Sequence, residues 1–454
     1  MWDAAQARRR LINALVSRLA LRLTPIVALL ACRADPGVVA TLDPTITTVI
    51  HVTWTTADPT TDQVQFGVDP TYGTVTPLEA TPTTTHSATL YGIPPETVCH
   101  FAVQSGATTS ADQTITTGRL PNGVPSFVTD TPVTDPNVGP FLLTSTVNLP
   151  ADKSTVVILD LTGAPVWYGQ AGAGVTSVRL RSDGGGVYFV TNSIDDRGAN
   201  AIVSMDFDGT TTSVSVPEAH HDVIEGPDGG WVTFQTVYQV INGVNVAGDD
   251  LVEVAADGTT RVVWDAFQNL DVVENAGWNE SQIAGAADWT HANGLVYDPS
   301  DDSYVISLYF TEQVIKIDRA TGAMDWILGG TDSNFTFATG EEFGPQHAPE
   351  LTPDGIRLFD NRSFTYGSRM TEYALDQTAG TASLTWSWQF PDNAWTPVLG
   401  DVHRFPDGSA LGAWGLAGRI VALGPDDTID GELVVGDSLT VGQVSMVPTF
   451  YPGG

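Results

Sequence analysis

The sequence predicts an all-β chain, a six-bladed β-propeller preceded by a small β-sandwich. Three observations predict it. Short alternating apolar runs are separated by clusters of Pro, Gly, Asp and Thr. From residue 141 a strand–turn–strand unit recurs, with turn acids at Asp183, Asp228, Asp301, Asp354 and Asp407, spaced by 45, 73, 53 and 53 residues. Each interval holds four strands and shows no amphipathic helix, the signature of propeller blades. Finally, 42% hydrophobic residues with 45 Gly and 28 Pro supply both a large core and many turns.

The N-terminus reads as an export signal. Arg8, Arg9, Arg10, Arg18 and Arg22 precede a short apolar run at 23–31 (LTPIVALLA). A membrane-spanning helix needs about 20 apolar residues, so this run is too short. The stretch Leu29-Leu30-Ala31-Cys32 resembles a bacterial lipobox, which implies removal of 1–31 and lipidation of Cys32. Ordinary signal cleavage beside an incidental cysteine is the alternative. The expected location is periplasmic or cell-surface, with a lipid anchor as the sole membrane contact. Cys99 then has no disulfide partner, and the fold rests on its core.

Residues 32–120 carry the runs 48–55 (TVIHVTWT), 63–67 (QVQFG), 86–90 (HSATL) and 98–103 (VCHFAV). Strands of this length with turns between them predict a β-sandwich. Trp54 in an early strand and the run before Gly106 resemble a fibronectin type III-like domain, with His100 where such domains often place tyrosine. His51, His86 and His100 are expected to be structural or solvated. Residues 121–140 (PNGVPSFVTDTPVTDPNVGP) read as an extended linker, and 141–454 as the propeller. Five units are visible, and a sixth is expected from strands at both ends. An irregular β-sandwich assembly is the alternative.

Asp and Glu number 53 against 19 Lys and Arg, a net charge of −34. Phosphate binding needs a basic surface, so nucleic acid is excluded as a partner, as is electrostatic docking on an anionic membrane. A salty habitat and simple solubility both fit this acidity.

The histidines fall in register with the repeat. Counting back seven residues from the turn acid gives His221 from Asp228 and His347 from Asp354, and His291 from Asp298, the first acid of the longer turn that also holds Asp301. The same count gives Thr176 from Asp183 and Gly400 from Asp407. The start of a blade's innermost strand lies at the mouth of the central channel. Three blades therefore point an imidazole at one spot, with Asn293 on the same strand face as His291. His220, on the opposite face, is expected to pack between blades, and His403 lies off the register. Trp289, Trp326, Trp388 and Trp414 are expected in blade cores. Three imidazoles and an amide suit transfer of an oxyanion, with one ring as nucleophile. They equally suit an open zinc site or an inert wet channel.

The stretches 288–330 (DWTHANGLVYDPSDDSYVISLYFTEQVIKIDRATGAMDWILGG), 343–362 (FGPQHAPELTPDGIRLFDNR), 220–228 (HHDVIEGPD) and 368–375 (SRMTEYAL) resemble the arylsulfate sulfotransferase family over about 140–450. The resemblance implies a six-bladed propeller that moves sulfate from an aryl sulfate donor to a phenolic acceptor through a sulfohistidine. It implies no cofactor, and the chain has no Gly-rich phosphate loop. His347 would be the nucleophile, and His291 and Asn293 would hold the sulfuryl oxygens, with His221 facing the sulfate. One departure stands out. The family usually carries an arginine where this chain has Tyr309, exchanging a permanent charge for one neutral donor. By analogy with an oxyanion-hole donor, that loss is about 2–4 kcal/mol. Arg362 is a substitute candidate for binding substrate, whereas Arg369 matches a family position and reads as structural. The alternatives are a weakened or inactive propeller binding sulfated or aromatic ligands, and a metallohydrolase using His221, His291 and His347. Oligomeric state is open, with a homodimer as one option.

Overall fold

The computed structural model describes residues 37–148, 153–193, 196–436 and 439–451. The expected signal segment and Cys32 lie outside the described residues.

Alternation builds the N-terminal domain. In strand Ile50–Thr60, Ile50, Val52 and Trp54 are buried while Thr53 and Thr55 face out. This strand lies between Val39–Leu42 and Thr83–Leu90 in one sheet. A second sheet holds Asp62–Gly67, Thr74–Val75, Val98–Ser105, Thr108–Thr109 and Gln113–Thr116. Trp54, Val64, Phe66, Cys99 and Phe101 share the core between them. Cys99 has no disulfide partner among the described residues, and burial pushes its thiol up to about 12. His86 stacks on Trp54 at 5.2 Å, and its Nδ1 lies 2.8 Å from Glu79. His51 pairs with Asp43 and His100 with Asp112.

Six further sheets follow among the described residues, numbered I to VI here. Their first strands are Thr440–Val447, Val178–Leu180, Ala219–Glu225, Ala292–Asp298, Gln346–Thr352 and Asp401–Arg404. Sheets contact one another in this order, and VI returns to I. Middle strands such as Ser303–Leu308 (SYVISL) are buried throughout, as expected where neighbouring sheets cover both faces. Gly294 permits the close approach of sheets IV and V, since a Cβ there would sit 2.3 Å from Pro349.

Both chain ends close the circle. Thr440–Val447 pairs with Phe141–Asn148 as the first strand of sheet I. Phe127–Thr131, inside the expected linker, pairs with Ile429–Val435 as a fifth strand of sheet VI. The long interval between Asp228 and Asp301 holds an insertion after sheet III. Asp265 caps the short helix Ala266–Asn269, accepting from Phe267 N at 2.8 Å. Strand Ala286–Asp288 then pairs in parallel with Val244–Val254, which brings Asp288 back beside the first strand of sheet IV.

The N-terminal domain packs on sheets I and II. Tyr168 hydroxyl receives Thr47 N at 2.8 Å, and Tyr451 hydroxyl donates to Thr89 O at 2.9 Å. Phe207, in the turn joining the last two strands of sheet II, lies against Tyr91 and Phe450. That turn is at the end of the sheet opposite the start of its first strand, so the domain leaves the histidine end clear.

Candidate active site

Three first strands break their ladder at the same phase. Register shifts fall between His220 and Val223, Ala292 and Gly294, and His347 and Glu350. His221, His291 and Ala348 take left-handed φ of 57°, 53° and 49°. Strained backbone of this kind concentrates at functional sites. The kinks turn His221, His291 and His347 into one cavity of about 470 Å³. Below it, a space of about 10 Å³ is lined by Thr176, His221, Asn293, His347, Gly400 and Gln443. The structure therefore brings together the positions found by counting from the turns.

The three rings differ in protonation. Asn361 Nδ2 donates to Thr396 O and Leu399 O, which turns its Oδ1 to His347 Nδ1 at 2.8 Å. His347 therefore carries its proton on Nδ1, and its Nε2 accepts from Leu399 N at 3.2 Å. Burial, aided by the charge of His291, pushes His347 down to about 3. His291 Nδ1 lies 2.5 Å from Asp288 Oδ2. Burial opposes charge on His291, but the Asp288 carboxylate outweighs it and raises the ring above its ordinary value. A protonated His291 presents Nε2–H as a donor. His221 is held well below the ordinary range by burial, then by His291, His220, His347 and Arg197. The cavity thus holds two neutral imidazoles and one favoured as a cation.

Tyr309 is in the cavity, its ring 5.7 Å from His291 and 5.4 Å from His347. Its hydroxyl donates to Pro397 O at 2.7 Å, tying down the segment that carries Leu399. Asn293 donates to Gln346 O at 2.8 Å, and its buried Oδ1 has no hydrogen-bond partner among the described residues. Arg362 is placed elsewhere. With φ of 51°, it turns toward Gln389 and Tyr366 and lines neither space around the histidines. Arg369 bonds Asp360 at 2.7 Å, a structural role.

Two contributors escaped sequence reasoning. Among the described residues, Arg197 is the one Lys or Arg lining the larger cavity, held by Glu218 at 2.7 Å and by Thr236. It sits in the connection between the second and third strands of sheet II, the place Tyr309 takes in sheet IV. That topological equivalence is the signal that would have found it. His220 does not simply pack between sheets: its Nδ1 is 2.8 Å from His221 Nδ1, and its Nε2 2.9 Å from Asp249.

The cavity histidines do not stand as a close-set group of metal ligands. Among the described residues, the one set of three candidate ligands with donor atoms within 4.8 Å of one another is Asp62, Glu79 and His86, not the cavity histidines. The Asp62 set is tied up by hydrogen bonds to Trp54, Thr56 and its own members.

No curated protein matches the chain in sequence. Similar solved structures include a protein of unknown function from Bacteroides caccae, at 11% identity, TM-score 0.43, covering 67% of this chain and 97% of that one. A streptogramin B lyase gives 14% identity and TM-score 0.40, covering 71% and 98%. A virginiamycin B lyase from Staphylococcus aureus gives 15% identity and TM-score 0.37, covering 67% and 88%. The profile of the Arylsulfotransferase (ASST) family matches residues 135–430, the greater part of the molecule and every one of the cavity histidines. The chain belongs to the arylsulfotransferase family.

Proposed function

We propose that the protein transfers sulfate from an aryl ester to a phenol through a sulfohistidine on His347. Family membership supports aryl sulfotransferase function in general, with small-molecule aryl sulfate and phenol substrates. The observation that carries the finer reading is one cavity lined by His347, by His291 with its Nδ1 on the Asp288 carboxylate, which favours the charged ring, and by His221, which burial favours neutral. We read the six sheets as six blades around the axis where these rings meet, the sandwich and the fifth strand of sheet VI as its N-terminal attachments, and Cys32 as the lipid anchor of an exported protein.

In the first step, His347 Nε2 attacks the sulfur of the donor. The N–S bond forms, the S–O bond to the aryl group breaks, and its electron pair goes to the phenolate oxygen. His291 gives that oxygen its Nε2 proton, so phenol leaves. Leu399 N–H, displaced from Nε2, turns to a sulfuryl oxygen. In the second step an acceptor phenol attacks sulfur, His221 takes its proton, and the N–S pair returns to His347. Splitting the transfer lowers each barrier. Arg197 supplies the permanent positive charge that Tyr309 cannot.

The test is incubation with 4-nitrophenyl sulfate, with and without phenol. Nitrophenol release and a sulfated peptide containing His347 are expected; absence of both overturns the reading. Tyr309 and the Leu399 bond to Nε2 favour a second reading, a ligand-binding propeller without turnover. Aryl sulfate binding by calorimetry with no nitrophenol released would establish it.

A further inference from the structure

We infer that Asp249 and His220 form a proton relay behind His221, making His221 the base for the acceptor phenol. This rests on the sulfotransfer reading above and adds to it two residues that touch neither substrate. With His220 neutral, the bonds give each proton a direction. Asp249 Oδ2 accepts from Thr290 Oγ1 at 2.6 Å and from Ala292 N at 2.7 Å. Burial opposes its charge, but His220, Thr290 and the Ala292 amide together hold the carboxyl low. An ionised carboxylate only accepts, so His220 Nε2 donates to Oδ1 at 2.9 Å. A neutral His220 then has a bare Nδ1, and His221 Nδ1 must donate across the 2.8 Å between them. What remains on His221 is a lone pair at Nε2.

The arrangement answers a chemical difficulty. His221 packs against His291 at 4.6 Å and shares the cavity with Arg197 and His347, so a proton resting on it meets like charge. Asp288 faces His291 rather than His221. A base in that position is weak unless the charge moves on. Here the phenol proton enters at His221 Nε2, the Nδ1 proton passes to His220 Nδ1, and His220 becomes an imidazolium facing the Asp249 carboxylate. His221 is neutral again and the new charge is paired away from His291. Asp250, beside Asp249, is pushed up to about 7 by burial and by Asp265 and Asp249. The backbone is held for this purpose: Thr176 Oγ1 donates to His221 O at 2.8 Å across from sheet II.

His220 and Asp249 are positioning residues, and the test separates half-reactions. The full-length protein is mixed rapidly with 4-nitrophenyl sulfate, and the nitrophenol burst reports sulfation of His347. Transfer from the sulfated protein to phenols of graded acidity reports the second step. His220→Gln should slow transfer to phenol by about 10²-fold, the usual contribution of a general base, and slow the burst far less. The loss should shrink for acidic phenols, which ionise unaided. Asp249→Asn should give the same pattern. Equal slowing of burst and transfer, or a loss indifferent to phenol acidity, overturns the relay. No burst in the unmodified protein overturns the sulfotransfer reading instead. Should both variants misfold, ¹⁵N chemical shifts of the unmodified protein decide: His221 protonated at Nδ1 supports the relay, and protonation at Nε2 refutes it.

Discussion

Replacing Asp288 with asparagine removes one charge and little else. The carboxylate is 2% exposed, and its Oδ2 sits 2.5 Å from His291 Nδ1 and 3.0 Å from Ser281 Oγ. Asparagine keeps the shape and can still accept from both. What it loses is the attraction that keeps His291 charged against burial. A hydrogen bond to a charged group contributes about 1.5–3 kcal/mol, or roughly 10- to 150-fold in rate if it is needed in the transition state. The charge on His291 matters when the leaving phenolate is basic. Asp288→Asn should therefore lower kcat/KM for phenyl sulfate by that factor and barely change it for 4-nitrophenyl sulfate, whose leaving group departs without a proton.

The pH dependence has a defined sign. His291 is raised in the folded state, so its charged form is present at low pH and lost as pH climbs through the raised value. Turnover of phenyl sulfate should fall on that limb, and Asp288→Asn should move the limb to lower pH. The same pair contributes stability that is fully present below about pH 6.5 and is lost as pH rises through the folded value. Steady-state kinetics with both esters from pH 5 to 9 is the assay. Equal loss for the two esters, or an unmoved alkaline limb, would refute His291 as the acid.

Two further predictions follow from neighbouring groups. Arg197→Gln should raise KM for aryl sulfates about 10-fold while leaving KM for a neutral phenol acceptor within about 2-fold, because one charge-assisted contact to sulfate is gone; an unchanged donor KM would remove Arg197 from the site. His347 is pushed down to about 3 when folded but titrates near 6.5 when unfolded, so the unfolded chain binds the extra proton between those values. Stability should fall as pH drops from about 6.5 toward 3, and His347→Gln should flatten that slope in urea titrations; parallel slopes would show that His347 does not charge on unfolding.

The parts legible in the sequence were those written by local turns. Turn acids, in Asp-Gly pairs at Asp228 and Asp354 and in the longer turn from Asp298, mark where a strand pair folds back, so counting from them located His221, His291 and His347 without any knowledge of contacts. Period-two reasoning then failed at the adjacent residue. It sets His220 opposite His221, but the left-handed turn at His221 breaks alternation and lets adjacent rings meet. Arg362 misled for the same reason, its own φ of 51° turning it toward Gln389. Phe127–Thr131 was hidden differently: its partner strand lies some three hundred residues away, and nothing in a Pro- and Thr-rich stretch announces a sheet edge.

The kinks themselves are open to test, and sheet V is the informative case. In sheets III and IV the strained residue is the histidine, whereas in sheet V it is Ala348, one position on. His347 thereby keeps an ordinary strand conformation and points to Asn361 and Leu399, while the chain bends after it. A left-handed alanine costs about 1–2 kcal/mol, and glycine relieves that strain while losing about 0.8 kcal/mol of methyl burial and some entropy. Ala348→Gly should therefore leave stability within about 1 kcal/mol and the burst rate unchanged. Ala348→Val puts a β-branched residue in the same turn beside Pro349, where it forces the strand toward an extended path. Its expected cost is at least about 2 kcal/mol, with loss of the burst even in protein that remains folded. If valine is tolerated with full burst, the bend after His347 is not what aims its Nε2, and the nucleophile's orientation must come from Asn361 alone.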